Sequence, residues 1–184
     1  MGMPTSGVYV LLAALVAPSL VEAGVTPIAA HLFILYFGMM SMITPPVALA
    51  AFAASAISGA GAVATGVAAM RVGWAAFILP FAFVATPALL LEGSLQETVL
   101  AAVLTTVGVG AVTIGITGYW ARHLNIVLRI VFVILGAVAI PLGFIGVPML
   151  VHTLAAAGVV ILAAGLSFSK PAKAGNGQAA EREV

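Results

Sequence analysis

The residues best suited to chemistry in this chain are the hydroxyls and backbone carbonyls around Thr44-Pro45-Pro46. Neither proline has a backbone N–H, and each clashes with the carbonyl one turn earlier, so a helix through this point must break. The break frees carbonyl oxygens, and Ser41 and Thr44 add hydroxyls. Oxygen ligands from unwound backbone suit an alkali cation such as Na⁺, and no carboxylate is needed if an anionic substrate binds there too. The alternative is a proline kink that only helps helices to pack.

No other set of residues predicts catalysis. His31, His123 and His152 are far apart in sequence and fall on different elements, and no carboxylate lies within a predicted membrane span. We interpret His31 as an interfacial residue and His152 as a packing residue. The absence of cysteine excludes disulfides, thiolate metal sites and cysteine nucleophiles. We therefore expect no enzyme activity, no catalytic residue, no cofactor and, without a basic run, no nucleic-acid partner.

The composition is that of a membrane protein. Of the 184 residues, 64% are hydrophobic and 6% are charged, whereas ordinary soluble domains are about 25% charged. Such a chain cannot cover itself with polar surface, so the sequence predicts an all-α integral membrane protein.

Hydropathy and helix breakers divide the chain into one short segment and about five transmembrane helices. Residues 7–21 are too few to span a bilayer, so they form either a re-entrant half-helix, with Thr5 or Ser6 as its N-cap, or a short tilted span. Residues 27–58 should form a discontinuous helix with a short extended break. The later elements are expected at 62–70 (a short interfacial helix), 74–91, 98–117, 126–144 (kinked by Pro141) and 149–166, followed by a polar disordered tail. Gly108, Gly110 and Gly115 would allow close helix contact.

The few charges alternate between the two sides of the membrane. Arg71, Arg122 and Arg129 fall on one side together with the basic residues of the tail, and Glu92 and Glu97 fall on the other. By the positive-inside rule the basic side is cytoplasmic. We therefore expect a cytoplasmic C-terminus and a first short segment that enters from the outer side and returns to it.

Several motifs resemble those of one transporter family. Residues 2–60 contain GMPTS, PIAAHLFILYFG and ITPPVALAAFAA, and residues 71–91 read RVGWAAFILPFAFVATPALLL. At these spacings the chain resembles the permease of tripartite ATP-independent periplasmic (TRAP) transporters. It is most similar to the fused form of permease that works with TAXI-type solute-binding proteins. The glycine-rich helices beyond residue 91 fit the longer C-terminus of that form.

The resemblance implies an elevator transporter built from two inverted repeats, each with a re-entrant hairpin and a broken helix. Residues 2–6 would match the tip of the second hairpin, residues 7–21 its returning arm, and residues 43–47 the break of the second repeat. These regions would face each other and hold the substrate beside one Na⁺, the coupling ion. The residues so assigned to substrate and ion are Gly2, Pro4, Thr5, Ser6, Ile43, Thr44, Pro45 and Pro46, and those assigned to Na⁺ are Gly2, Thr5, Ile43, Thr44 and Pro45.

The resemblance also implies a division of the chain and a set of partners. The hairpin tip and returning arm would occupy residues 1–26, the broken helix and following span of the transport domain 27–91, the C-terminal transmembrane helices 92–166 and a cytoplasmic tail 167–184. A first hairpin and first broken helix are absent from the sequence, so we expect a C-terminal part that does not transport alone. Its partners would be the missing N-terminal half, a periplasmic TAXI-type binding protein, a small organic anion such as a carboxylate, and the lipid of a bacterial inner membrane. The alternative is a non-transporting helical subunit or truncated remnant that acts only through packing.

Overall fold

The computed structural model describes residues 5–143 and 146–168, and in these residues the secondary structure is helical apart from one isolated bridge between Tyr119 and His123. Nine α-helices and one short 3₁₀ helix follow one another in this part of the chain. The predicted all-α membrane fold is confirmed. Of the predicted tail, Ser167 and Phe168 belong to the last helix, and residues 169–184 lie outside the described residues.

The described chain opens on a helical arm in two pieces. α1 runs Thr5–Leu15 and α2 runs Ala17–Glu22. Thr5 and Ser6 already belong to α1, so the prediction that one of them is the N-cap is wrong. A capping residue lies outside the first turn and uses its side chain to bind N–H groups within that turn.

The next helix is discontinuous, as the prolines predicted. α3 runs Pro27–Met40, with Thr26 as N-cap: its hydroxyl accepts a hydrogen bond from the Ala29 N–H at 3.4 Å. α4 runs Leu49–Ser58. Residues 41–48 between them form successive turns and not the extended break that was expected, because the hydroxyls in this segment bond back to the end of α3.

The segment after α4 differs from the prediction. α5 runs Ala62–Val72 and α6 runs Ala75–Ala85, and together they form a candidate membrane span of 24 residues, Ala62–Ala85. The predicted span 74–91 is therefore wrong at both ends. α6 ends before Pro87 because a proline pushes the preceding residue out of the helical region, and Thr86 has φ −138° and ψ 82°. A 3₁₀ turn, Pro87–Leu90, follows.

The last three helices form a compact bundle. α7 runs Leu95–Thr117 and begins earlier than predicted because Ser94 and Glu97 form a capping box, in which each side chain accepts a hydrogen bond from the other residue's N–H. α8 runs Ile126–Ala139, so Pro141 follows the end of the helix and does not kink it. α9 runs Met149–Phe168.

Glycines set how closely α7 and α8 approach. A Cβ at Gly108 would lie 2.7 Å from the carbonyl oxygen of Gly136, and a Cβ at Gly115 would lie 2.7 Å from that of Arg129. Both positions must therefore lack a side chain, as predicted from the sequence. Gly110 faces open space, since a Cβ at this position would have no atom of a neighbouring element within 4 Å, so its predicted role in packing is wrong.

Three helices of the described part are long and apolar enough to cross a membrane: Ala62–Ala85, Leu95–Thr117 and Met149–Phe168. They correspond to three of the five predicted crossings. The other two are the discontinuous α3–α4 pair and α8, which has 14 residues. These helices are shorter than the ~20 residues that a straight span requires.

Long-range hydrogen bonds join distant parts of the described chain. The Thr86 hydroxyl donates to the carbonyl oxygen of Pro141 at 2.6 Å, and the Trp74 indole N–H donates to the Thr113 hydroxyl at 3.1 Å. Buried His152 lies 2.6 Å from the carbonyl oxygen of Val138 through its Nδ1. The bonds of Thr86 and His152 satisfy carbonyls at and just after the end of α8, and the bond of Trp74 links the junction of α5 and α6 to α7.

Candidate functional site

The break between α3 and α4 is a compact loop held by its own hydrogen bonds. The Ser41 hydroxyl donates to the carbonyl oxygen of Gly38, and the Thr44 hydroxyl donates to that of Met40, both at 2.7 Å. The N–H of Ala48 returns to the carbonyls of Ser41 and Thr44 at 3.1 and 3.0 Å. Each hydroxyl uses its single hydrogen in this way, so its oxygen lone pairs stay available to a further ligand.

Several carbonyls of the loop accept no hydrogen bond from the residues that the structure describes. They include those of the partly buried Ile43 and Pro45 and those of the exposed Pro46 and Val47. Prolines 45 and 46 contribute to this because neither offers an N–H to the turn. Leaving a carbonyl unpaired in a membrane costs several kcal/mol, so such groups persist where they line a polar site.

The start of α1 lies against the end of α3, beside this loop. A Cβ at Gly38 would lie 3.4 Å from a methyl carbon of Val8, so α1 crosses α3 less than one turn before α3 ends. Only residues 23–26 join α2 to α3, so the arm runs antiparallel to α3. At ~1.5 Å per residue, Thr5 lies about 4.5 Å further along than Val8, at the level of the loop. Thr5 is half-buried there and Ser6 is exposed.

α5 supports the loop from another side. A Cβ at buried Gly66 would lie 2.7 Å from Cγ of Pro45, and a Cβ at Gly73 would lie 3.0 Å from Cδ1 of Ile43. The ring of Pro45 therefore rests directly on the backbone of α5. Sequence reasoning missed Gly66 and Gly73, since nothing in the local pattern distinguishes them from the nearby Gly59 and Gly61.

A polar pair joins α1 to α3 near the start of α3. The Tyr9 hydroxyl lies 3.0 Å from Nδ1 of His31, and the two rings are 6.0 Å apart. His31 is exposed, and its link to Tyr9 was not predicted. This contact fixes the arm along α3 and so helps to place Thr5.

Three of the predicted site residues, Ile43, Thr44 and Pro45, belong to the loop, and the contact of Val8 with Gly38 puts Thr5 toward the loop end of α3. Pro46 also belongs to the loop but is exposed, as is Ser6. Gly2 and Pro4 lie outside the described residues. In the described part of the chain, no group of three or more His, Asp or Glu side chains is arranged to hold a metal ion.

Basic and acidic side chains lie at opposite ends of α7. Arg129 donates to the carbonyl oxygens of Gly115 and Ile116 at 2.9 and 2.8 Å, and Arg71 borders a groove that ends on the same last turn. Glu97 lies in the first turn of α7. The sequence predicted that basic and acidic residues lie on opposite sides of the membrane. In the structure these residues lie at opposite ends of α7, a candidate membrane span.

These features define the class of protein, which is a helical integral membrane protein with a discontinuous helix. Many secondary transporters are built with such helices. Residues 1–98 match the family model described as "Tripartite ATP-independent periplasmic transporter, DctM component". The chain belongs to this DctM family, which supplies the permease component of TRAP transporters and is a family of transporters, not of enzymes. Such permeases work with other TRAP components, such as a solute-binding protein. No curated protein and no solved structure matches the chain.

Proposed function

We propose that this chain holds one Na⁺ and the substrate of a Na⁺-coupled TRAP permease, between the start of α1 and the loop that interrupts the α3–α4 helix. The substrate is an organic anion, most simply a carboxylate, delivered by a periplasmic binding protein of the TAXI type. The chain would be the C-terminal part of such a permease, and alternating access would carry ion and anion together. Family membership supports the permease role; the ion and the substrate class rest on the site.

The observation that carries the proposal is the set of oxygens at the loop. The Thr44 hydroxyl oxygen and the carbonyl oxygens of Ile43 and Pro45 are oxygen ligands, the kind that unwound membrane helices present to Na⁺. Thr5 of α1 would add its hydroxyl to the same site, and the bound cation would attract a carboxylate. Gly2, Pro4, Ser6 and Pro46 would complete the site.

The separation of charge along α7 supports an orientation. The end of α7 that contacts Arg129 and borders the groove of Arg71 would face the cytoplasm by the positive-inside rule. α9 ends on the same side, because the Trp120 indole after α7 bonds to Ser167 at 3.0 Å. We infer a protein of the bacterial inner membrane with a cytoplasmic C-terminus.

The test is a Na⁺-dependent melting temperature of the purified chain at constant ionic strength, with choline replacing Na⁺. A ligand that binds only the folded state stabilises it by RT ln(1 + [L]/Kd), about 1.4 kcal/mol when Na⁺ is at roughly ten times its Kd. For a chain of this size that is a rise of about 3–6 °C. Thr44→Val removes the hydroxyl and keeps the shape, so it should lose most of this rise.

Thr106→Val is the matched control, because the Thr106 hydroxyl also donates to the carbonyl four residues earlier, at 2.8 Å, but lies on α7 away from the loop. It should keep the full Na⁺ response. Equal stabilisation by Na⁺ and choline would contradict the proposal. So would an unchanged response of Thr44→Val, which is what a subunit acting only through packing predicts.

A further inference from the structure

The arm formed by α1 and α2 has few buried contacts with the rest of the described chain. α1 has no buried residue, and in α2 only Ala17 is buried. The arm packs mainly against α3, and its outer face leaves Val10 and Leu15 exposed to 65% and 67%. Elements with so few buried contacts lie at the low-stability end of a structure and open at little cost.

The connection between the arm and α3 has the features of a hinge. It consists of residues 23–26, in which Gly24 has φ +93°, a conformation that glycine adopts readily and other residues rarely do. In the described part of the chain, no neighbouring element has an atom within 4 Å of a Cβ placed at Gly24. α1 and α2 have 11 and 6 residues, which is about 25 Å of helix at ~1.5 Å per residue. A small rotation at Gly24 therefore produces a large movement at Thr5.

Two contacts hold the arm closed on α3. Val8 packs on buried Gly38, where a Cβ would lie 3.4 Å from a methyl carbon of Val8. The Tyr9 hydroxyl lies 3.0 Å from Nδ1 of His31, and no other hydrogen bond joins the arm to α3 within residues 5–143 and 146–168. Because a single hydrogen bond between exposed groups contributes little net free energy, these contacts hold the arm only weakly.

We propose that the arm is a lid over the loop between α3 and α4, and that it opens about Gly24 to admit and release the ion. This inference rests on the proposed Na⁺ site. In the closed position the start of α1 lies toward the loop end of α3, where Ile43 and Thr44 are only partly exposed. Opening would give the ion and water access to the oxygens of the loop. Closing would exclude water from the bound ion, which is the usual task of a lid over a site.

A disulfide that fastens the arm to α3 tests the lid directly. The chain contains no cysteine, so a pair introduced at positions 8 and 38 forms the only disulfide within it. A Cβ at Gly38 would lie 4.0 Å from the Cβ of Val8, within the ~3.5–4.5 Å that a disulfide requires. The variant with Val8→Cys and Gly38→Cys is oxidised in radioactive sodium and passed through a desalting column into choline. The oxidised protein should retain most of its sodium, whereas the same protein after reduction should lose it.

A second disulfide, away from the arm, is the matched control. A Cβ at Gly93 would lie 3.7 Å from the Cβ of Ala88, so Ala88→Cys with Gly93→Cys can fasten the turn before α7 in the same way. This variant should lose its sodium in both redox states. If the reduced arm variant binds Na⁺ at equilibrium but its oxidised form retains no more sodium on the column, the lid is overturned and the ion site stands. If wild type binds no Na⁺ at equilibrium, the proposed site is wrong and the lid with it.

Labelling of a single cysteine measures opening without a disulfide. Gly38 is buried beside Val8, so Gly38→Cys should react with a water-soluble thiol reagent when the arm opens. The reaction should be slower in Na⁺ than in choline. Adding Tyr9→Phe removes the bond to His31 and should speed the reaction about fivefold, the factor that corresponds to one typical hydrogen bond. A reaction rate that neither Na⁺ nor Tyr9→Phe changes would overturn the proposal.

Discussion

Gly66→Ala tests whether α5 holds the interrupted helix in its working shape. A Cβ at Gly66 would lie 2.7 Å from Cγ and 3.2 Å from Cδ of Pro45, whereas ordinary contact begins at 3.4 Å. The ring would have to retreat by about 0.7 Å. Pro45 cannot do this by rotating a flexible side chain, because its ring includes the backbone nitrogen. The loop that carries Thr44 must therefore move with it.

The expected cost of Gly66→Ala is that of overpacking, about 1–3 kcal/mol of unfolding free energy. For a chain of this size that is a fall in melting temperature of about 2–12 °C. The displacement should also weaken the stabilisation by Na⁺, since cation ligands must keep their positions to within a few tenths of an ångström. Both quantities come from the same melting curves, recorded with and without Na⁺.

Gly110→Ala is the control for Gly66→Ala. It makes the same change within a helix, but nothing lies within 4 Å of the new methyl. Alanine is a better helix former than glycine by up to ~1 kcal/mol, so this variant should be neutral or slightly more stable. If Gly66→Ala melts like wild type and responds equally to Na⁺, α5 does not support the loop and the reasoning is refuted.

Two further contacts make predictions of their own. Arg129→Gln removes the two hydrogen bonds from the guanidinium to carbonyls in the last turn of α7. Melting curves should show a loss of about 1.5–3 kcal/mol in the free energy of unfolding. Arg122→Gln should lose little, and equal losses in the two variants would refute a capping role for Arg129. Tyr9→Phe removes the bond to His31 and should cost about 0.5–1.5 kcal/mol. His31→Ala added to Tyr9→Phe should cost little more, and strict additivity would show that the pair does not interact.

The break in the second helix could be predicted from the prolines, but its form could not. Thr44-Pro45-Pro46 shows that no helix can continue through residue 46. α3 nevertheless ends at Met40, because the hydroxyls of Ser41 and Thr44 take over carbonyls at the helix end and the chain turns. Side chains of this type compete with the backbone for partners, and a sequence alone does not show which will win.

The neighbours of the break could not be predicted from the sequence, because they are set by tertiary contacts. Residues 62–70 were predicted only as a short interfacial helix, and the fold is needed to show that Gly66 meets Pro45. The early ends of α6 and α8 follow the rule that the residue before a proline avoids the helical region, a rule that could have been applied at Pro87 and Pro141. The capping box at Ser94 and Glu97 was also readable as the pattern S-x-x-E.

The most direct measurement is equilibrium binding of radioactive sodium to the purified chain, in wild type and in Thr44→Val. The account predicts saturable binding of one Na⁺ per chain by wild type, and weaker binding by Thr44→Val, whose loop has lost its hydroxyl ligand. Thr106→Val should bind as wild type does. The absence of saturable binding, or identical binding curves for wild type and Thr44→Val, would contradict a cation site at the break between α3 and α4.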